Sequence, residues 1–132
     1  IPAITKILQD NNSIVRWRVV KALGQLGAKE AIPNIIILLQ DSDPGVRREA
    51  VEALGKLDAS QAVPELVKVL DDNDEDTRGM TAVVLVELGA KDKLPARAIE
   101  DIKLLLKWSE DYPARAREVL KALGVEVPEE KK

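Results

Sequence analysis

The sequence contains no cysteine and no histidine. Those two absences exclude disulfides, thiol nucleophiles, thiolate or imidazole zinc sites and histidine general bases together. Aromatic residues make up 2% of the chain. No apolar run approaches the roughly 20 residues needed to cross a bilayer, and no charged stretch followed by an apolar segment opens the sequence, so a cytoplasmic setting is expected. Lys and Arg number 20 against 23 Asp and Glu, a net charge of -3. Such a chain lacks the basic excess that nucleic acid or an anionic membrane favours. Asn and Gln are few beside the many Lys, Glu, Asp and Arg, a bias found in proteins from hot environments.

What the chain does have is a repeat of 31 residues, plainest as an apolar residue before proline at Ile1-Pro2, Ile32-Pro33, Val63-Pro64 and Leu94-Pro95. A fixed period of this size marks a solenoid, in which each unit buries its apolar face by stacking on its neighbours. The same shift places Leu8 on Leu39 and Leu70, Asp10 on Asp41 and Asp72, and Arg16 on Arg47 and Arg78. It also carries Leu23 onto Leu54 and Leu85, without a gap. With 132 residues the chain has the length of one domain, with units at about 1–31, 32–62 and 63–93 and an enlarged C-terminal capping unit at 94–126.

Within a unit the proline suits the first turn of a first helix, because it has no N–H to lose there. In the second unit this helix is expected from about Pro33 through Leu39. The polar stretch Gln40-Asp41-Ser42-Asp43-Pro44 then ends it and caps the next helix, which is expected to run to Leu57. Val15, Val19, Ala22, Leu23 and Leu26 fall on one stripe of a 3.6-residue helix, and the stripe recurs as Val46, Ala50, Ala53, Leu54 and Leu57. Gly27 and Gly89 stand where a helix end needs a left-handed residue, with Asp58 in the second unit as the exception. Each unit is thus a helical hairpin. The fourth departs from the rule: Ala122-Leu123-Gly124 lies 69 residues after Ala53-Leu54-Gly55 instead of 62, so about two helical turns have entered between Pro95 and Pro113. Ile99, Ile102, Leu105 and Leu106 keep a helical stripe, and Trp108 and Tyr112 mark its end. The first unit has none in front of it, and further repeats upstream of Ile1 are expected to cover its apolar face.

Two stretches carry a resemblance to a known family: Ala62-Val63-Pro64-Glu65-Leu66 closed by Val69-Leu70, and Asp41-Ser42-Asp43-Pro44-Gly45-Val46-Arg47 with Glu52-Ala53-Leu54-Gly55. They resemble HEAT-like repeats, of the short kind first named from phycobilisome lyases and used in designed alpha-helicoidal scaffolds. The resemblance implies an all-α, right-handed α-solenoid, or superhelix, of about four hairpins. It also implies that Asp10, Asp41 and Asp72 with Arg16, Arg47 and Arg78 form a structural ladder and not a phosphate-binding row. By the same resemblance the concave binding surface lies on the second helices, at Trp17, Arg18, Lys21 and Gln25. The period extends it to Arg48, Glu49, Glu52 and Lys56, then to Gly79, Met80, Val83 and Glu87.

Trp17 lies almost opposite the apolar stripe of its helix, so the reading puts an indole, with Met80 and Val83, among alternating charges on an outer face. Aromatic, Arg and Met residues are favoured at protein interfaces, and the expected role is a non-enzymatic scaffold that binds a protein partner, with no cofactor or metal. Gly79 inside a helix costs roughly 1 kcal/mol relative to Ala and predicts close approach of a partner or a neighbouring helix. The alternatives are a nucleic-acid-binding HEAT-like module, disfavoured because Glu49, Glu52 and Glu87 offset Arg18, Lys21, Arg48 and Lys56, and a chromophore-lyase-like subunit. The acidic run Asp72-Asn73-Asp74-Glu75-Asp76 lacks the glycine and distal glutamate of a calcium loop and reads as a cap for the helix that follows.

Overall fold

A computed structural model describes residues 2–107 and 112–127. Among these residues there are eight α-helices, several short 3-10 turns and no strand. The helices are α1 (Pro2–Leu8), α2 (Ser13–Leu26), α3 (Ile32–Ile37), α4 (Pro44–Lys56), α5 (Val63–Val69), α6 (Glu75–Glu87), α7 (Ala98–Leu104) and α8 (Tyr112–Ala122). The chain therefore folds as an α-solenoid. Trp108, the Tyr112 side chain and the tail from Pro128 onward lie outside the described residues.

The boundaries follow from local chemistry. Pro33 and Pro64 sit in the first turns of α3 and α5, and Leu38–Gln40 tightens the end of the first hairpin arm into a 3-10 turn. The long helices start at Asn12, Asp43 and Asp74, one period apart, whose side chains accept the backbone N–H groups of Ile14, Val46 and Thr77 at 2.9, 3.0 and 2.9 Å. At the far ends Gly27, Asp58 and Gly89 take φ of 69°, 51° and 84°, so an aspartate adopts the left-handed conformation in the second unit.

Asp74 also accepts the Thr77 hydroxyl at 2.6 Å. Burial pushes its carboxyl up, but the Thr77 hydroxyl and amide, with Arg48 and Arg47 nearby, prevail and hold it below the ordinary value. Removing this cap by Asp74→Ala is expected to lower stability by about 1 kcal/mol, up to about 2 kcal/mol. A depressed folded-state pKa stabilises above the unfolded value and loses that contribution as pH falls through the folded one. The gap between wild type and Asp74→Ala in urea melts should accordingly be full at pH 7 and close on acidification; a gap that is unchanged at low pH would contradict the assignment.

Successive long helices pack side by side, α2 on α4 and α4 on α6. Glycine sets their spacing: a Cβ on Gly24 would stand 3.1 Å from Ala53 Cα, and one on Gly55 would stand 3.2 Å from Val84 Cγ2. Val46, Ala50, Ala53, Leu54 and Leu57 are buried to 1% exposure or less. The matching stripe of α2 is buried only in part: Leu23 is 7% exposed, but Ala22 is exposed and Leu26 is 80% exposed, while Val20, off the predicted stripe, is fully buried. The approach of Gly24 to Ala53, the counterpart of Ala22, shows that position 22 of a unit meets the preceding long helix.

The fourth unit corrects the expectation that Pro95 opens a helix. Leu94 is extended, with ψ of 132°, and α7 begins at Ala98. It packs along α6 much as α6 packs along α4, burying Ile102 and Leu105. The close approach predicted at Gly79 is made by this helix, since a Cβ there would lie 2.6 Å from the Asp101 carbonyl oxygen. Helix α8 then folds back against Leu105–Lys107, α6 and α7.

Candidate interaction surface

The arginine row is consumed by the scaffold. Arg16 donates from Nε and Nη2 to the Asp41 carboxylate at 2.9 and 3.0 Å and from Nη1 to the Asp10 carbonyl at 2.6 Å. Arg47 repeats this one period on, reaching the Asp72 carboxylate at 2.8 and 3.1 Å and the Asp41 carbonyl at 2.8 Å. Each guanidinium thus ties its own interhelical turn to the turn of the following unit. For Arg78 the register partner would be position 103, which is a lysine. Asp101, one-half turn earlier on α7, takes the place, accepting at 3.2 and 3.3 Å. The acidic run is likewise divided among separate partners: Asp72 serves Arg47, Asp74 caps Thr77, and Asp76 accepts from Arg48 at 3.2 Å.

The predicted surface is therefore split. Met80 and Val83 are 3% and 1% exposed, which corrects the expectation that they stand on an open face. The reason is the fourth unit: α7 and α8 cover α6, whose side chains at these positions join the core. Glu49 and Glu52 are also buried, at 8% and 6% exposure. Glu52 is held by Arg115 of α8, whose Nη1 donates to both of its carboxylate oxygens at 2.6 and 2.7 Å. The same guanidinium turns its other edge to the exposed Glu87, at 3.0 and 2.5 Å, and the hydrogen bonds to Glu87 and then to Glu52 outweigh burial and raise the Arg115 pKa above its ordinary value. This clamp was not legible in the repeat, because Arg115 belongs to the unit that breaks it. The sequence reading had placed Glu52 and Glu87 on an open face, and no spacing rule pointed to a cation that holds them.

Around α2 the face stays accessible. Trp17 is half-buried and packs against the core, a correction to a wholly outward indole, with the Lys21 ammonium 4.9 Å from its ring centroid. That distance permits a cation–π contact. Arg18, Gln25 and Lys56 are exposed, and Arg48 is partly so. The Lys56 Cδ would lie 3.8 Å from a Cβ on Gly24, so this chain lies across the α2–α4 junction. Burial pushes the Glu49 carboxyl above its ordinary value, Lys56 pulls it back, Glu52 raises it further, and Lys21 and Arg48 oppose. Trp17, Lys21 and Lys56 hence share one neighbourhood, with Glu49 at its floor.

A family model for HEAT repeats matches residues 1–86 and again residues 35–124. Among curated proteins no match is found. HEAT repeats generally mediate protein–protein interaction and serve as non-enzymatic scaffolds, and among the described residues no helix is long and apolar enough to cross a membrane. The paired short and long helices, the Asp–Arg ladder one period apart and the family match over most of the chain place it in one class: the chain belongs to the HEAT-repeat family.

Proposed function

We propose that this chain is a protein-interaction scaffold whose partner contacts the second-helix face at its α2 end, through Trp17, Lys21, Gln25 and Lys56, with Arg18 and Arg48 at the margins. The observation that carries the reading is the Trp17–Lys21 pair, an aromatic ring and a cation held 4.9 Å apart on an accessible face. Of the four cations here Arg48 is paired with Asp76, and the other three, Arg18, Lys21 and Lys56, belong to a chain that is acidic overall, which suits a partner segment bearing carboxylates. A rigid, preformed surface loses little conformational entropy when it binds. The α4–α6 end of the face is closed by the Arg115 clamp and contributes Glu87 only at its rim.

Affinity capture from a source lysate with the wild-type chain and with the Trp17→Ser/Lys21→Glu variant tests this reading. A partner lost or weakened roughly 30-fold in the variant, as for an aromatic hot spot, with helicity by circular dichroism unchanged, is the expected result. Identical captured proteins and affinities would sink the site. Salt-sensitive retention of duplex DNA by wild type would favour the nucleic-acid reading instead.

A further inference from the structure

Consecutive interhelical turns leave a groove between them, and the stack fills its grooves differently. The first is an open cavity of about 580 Å3, lined by Leu8 and Gln9 of one turn and by Ile37 and Asp41 of the next unit. The second, of about 320 Å3, repeats it one period on, with Leu39, Gln40, Lys68 and Asp72 in its walls. Beside the third turn the counterparts Leu70 and Asp71 are met by Arg97 of the fourth unit. Its Nη2 donates to the Leu70 carbonyl at 3.0 Å and to the Asp71 carboxylate. A guanidinium suits this place, because the last carbonyls of a helix carry partial negative charge and need donors.

One position distinguishes the grooves. Arg97 stands four residues before Asp101, which takes the ladder aspartate's role in the fourth unit. Four before Asp72 is Lys68, which turns to Glu65 of its own helix at 3.4 Å. Four before Asp41 is Ile37, which is 69% exposed and has no donor to offer. The first groove thus pairs the carbonyl end of α1 with an apolar side chain where the other two units carry a cation. Its charge is negative as well: Arg16 and Asp41 fork onto each other at 2.9 and 3.0 Å, which leaves Asp10 as the remaining ionised residue of the lining.

We infer that the first groove receives an arginine side chain from a protein partner. Its guanidinium takes the place against the Leu8 carbonyl and Gln9 that Arg97 takes against Leu70 and Asp71, and its methylene stem lies over Ile37. A planar fork of donors can serve a carbonyl and a side-chain amide together, which a compact ammonium does less well. The groove shares no residue with the α2 face proposed above and selects the opposite charge, so either assignment can fail without the other.

Titrating the isotopically labelled chain with the peptide acetyl-Gly-Arg-Gly-amide, and following backbone amide shifts, tests the assignment. Saturable shifts centred on Gln9, Leu38 and Ser42 are expected, with a dissociation constant on the order of millimolar for a single side chain. The citrulline peptide, alike in shape but uncharged, should bind at least roughly fivefold more weakly. Ile37→Arg should close the groove from within and abolish the shifts, while Arg97→Ala should open the third groove and add shifts around Leu70 and Asp72. No saturable shift between Gln9 and Ser42 at tens of millimolar peptide, equal binding of the citrulline peptide, or undiminished binding by the Ile37→Arg chain overturns the proposal. So does an Arg97→Ala chain that gains no site, and shifts confined to Trp17 and Lys21 would assign the arginine to the α2 face instead.

Discussion

Replacing Arg47 by alanine is expected to destabilise the fold by about 2–3 kcal/mol, a fall of roughly 10 °C in melting midpoint. The side chain is 13% exposed and its partner Asp72 11%. The pair thus lies between exposed ion pairs, worth about 0–1 kcal/mol, and fully buried ones, whose disruption costs about 3–5 kcal/mol. Three things are lost together: the forked contact to Asp72, the donor to the Asp41 carbonyl and the bridge between consecutive turns. The Asp72 carboxylate would keep the Asp74 amide, at 2.8 Å, but lose its cation. The neighbouring Arg48 supplies a control on the same helix. Its contact with Asp76 joins side chains that are 43% and 23% exposed, and Arg48→Ala should cost below about 1 kcal/mol. Urea melts of the two variants check the contrast. Equal losses would mean that the ladder carries no special share of the stability, and a double-mutant cycle with Asp72→Ala would then show no coupling.

The period made the scaffold legible because a solenoid junction is a local, repeated event. Once Asp10, Asp41 and Asp72 align with Arg16, Arg47 and Arg78, the resemblance to HEAT-like repeats assigns the rows, and the bonds across 25 residues realise them. The caps at Asp43 and Asp74 and the left-handed Gly27 and Gly89 were equally open to reading, since each depends on its own neighbours alone. Burial on α6 was not. Met80 and Val83 occupy positions that the repeat reading put outward, yet their counterparts Glu49 and Glu52 are buried too, and α7 and α8 pack against the helix that carries Met80 and Val83. The path of α7 and α8 follows from the extended Leu94 and from the extra turns before Pro113, where no neighbouring unit provides a template. Trp17 was placed on the correct helix, but with too much of its ring in water. One half-turn displacement, Asp101 for position 103, and one arginine outside the repeat, Arg115, account for the ion pairs that sequence spacing missed.

Gly79 should be the most size-sensitive position of the described helices. A Cβ there would stand 2.6 Å from the Asp101 carbonyl oxygen and 3.1 Å from Leu105 Cγ. The nearer atom is backbone, so relief requires α7 to move as a whole. For Gly79→Ala, about 1 kcal/mol of helix propensity is gained against an overpacking cost of about 1–3 kcal/mol, leaving a net loss of about 0–2 kcal/mol. For Gly79→Leu the propensity gain is similar and the clash larger, so the loss should reach about 3 kcal/mol or more. Moving α7 also pulls Asp101 from Arg78 and uncovers Ile102 and Leu105. Gly55→Ala is the informative comparison, because its nearest neighbours are the Val84 methyls at 3.2 and 3.3 Å, which can yield by a few tenths of an ångström; its loss should stay below about 1 kcal/mol. Since a solenoid's stability is nearly a sum over adjacent units, Gly79→Leu should act on one end. Hydrogen exchange should accelerate in α7 and α8 while α4 amides keep their wild-type protection. Uniform acceleration across α4 and α7 would show instead that the stack unfolds as one cooperative body, and an undiminished stability in Gly79→Leu would show that α7 does not need the glycine to reach α6.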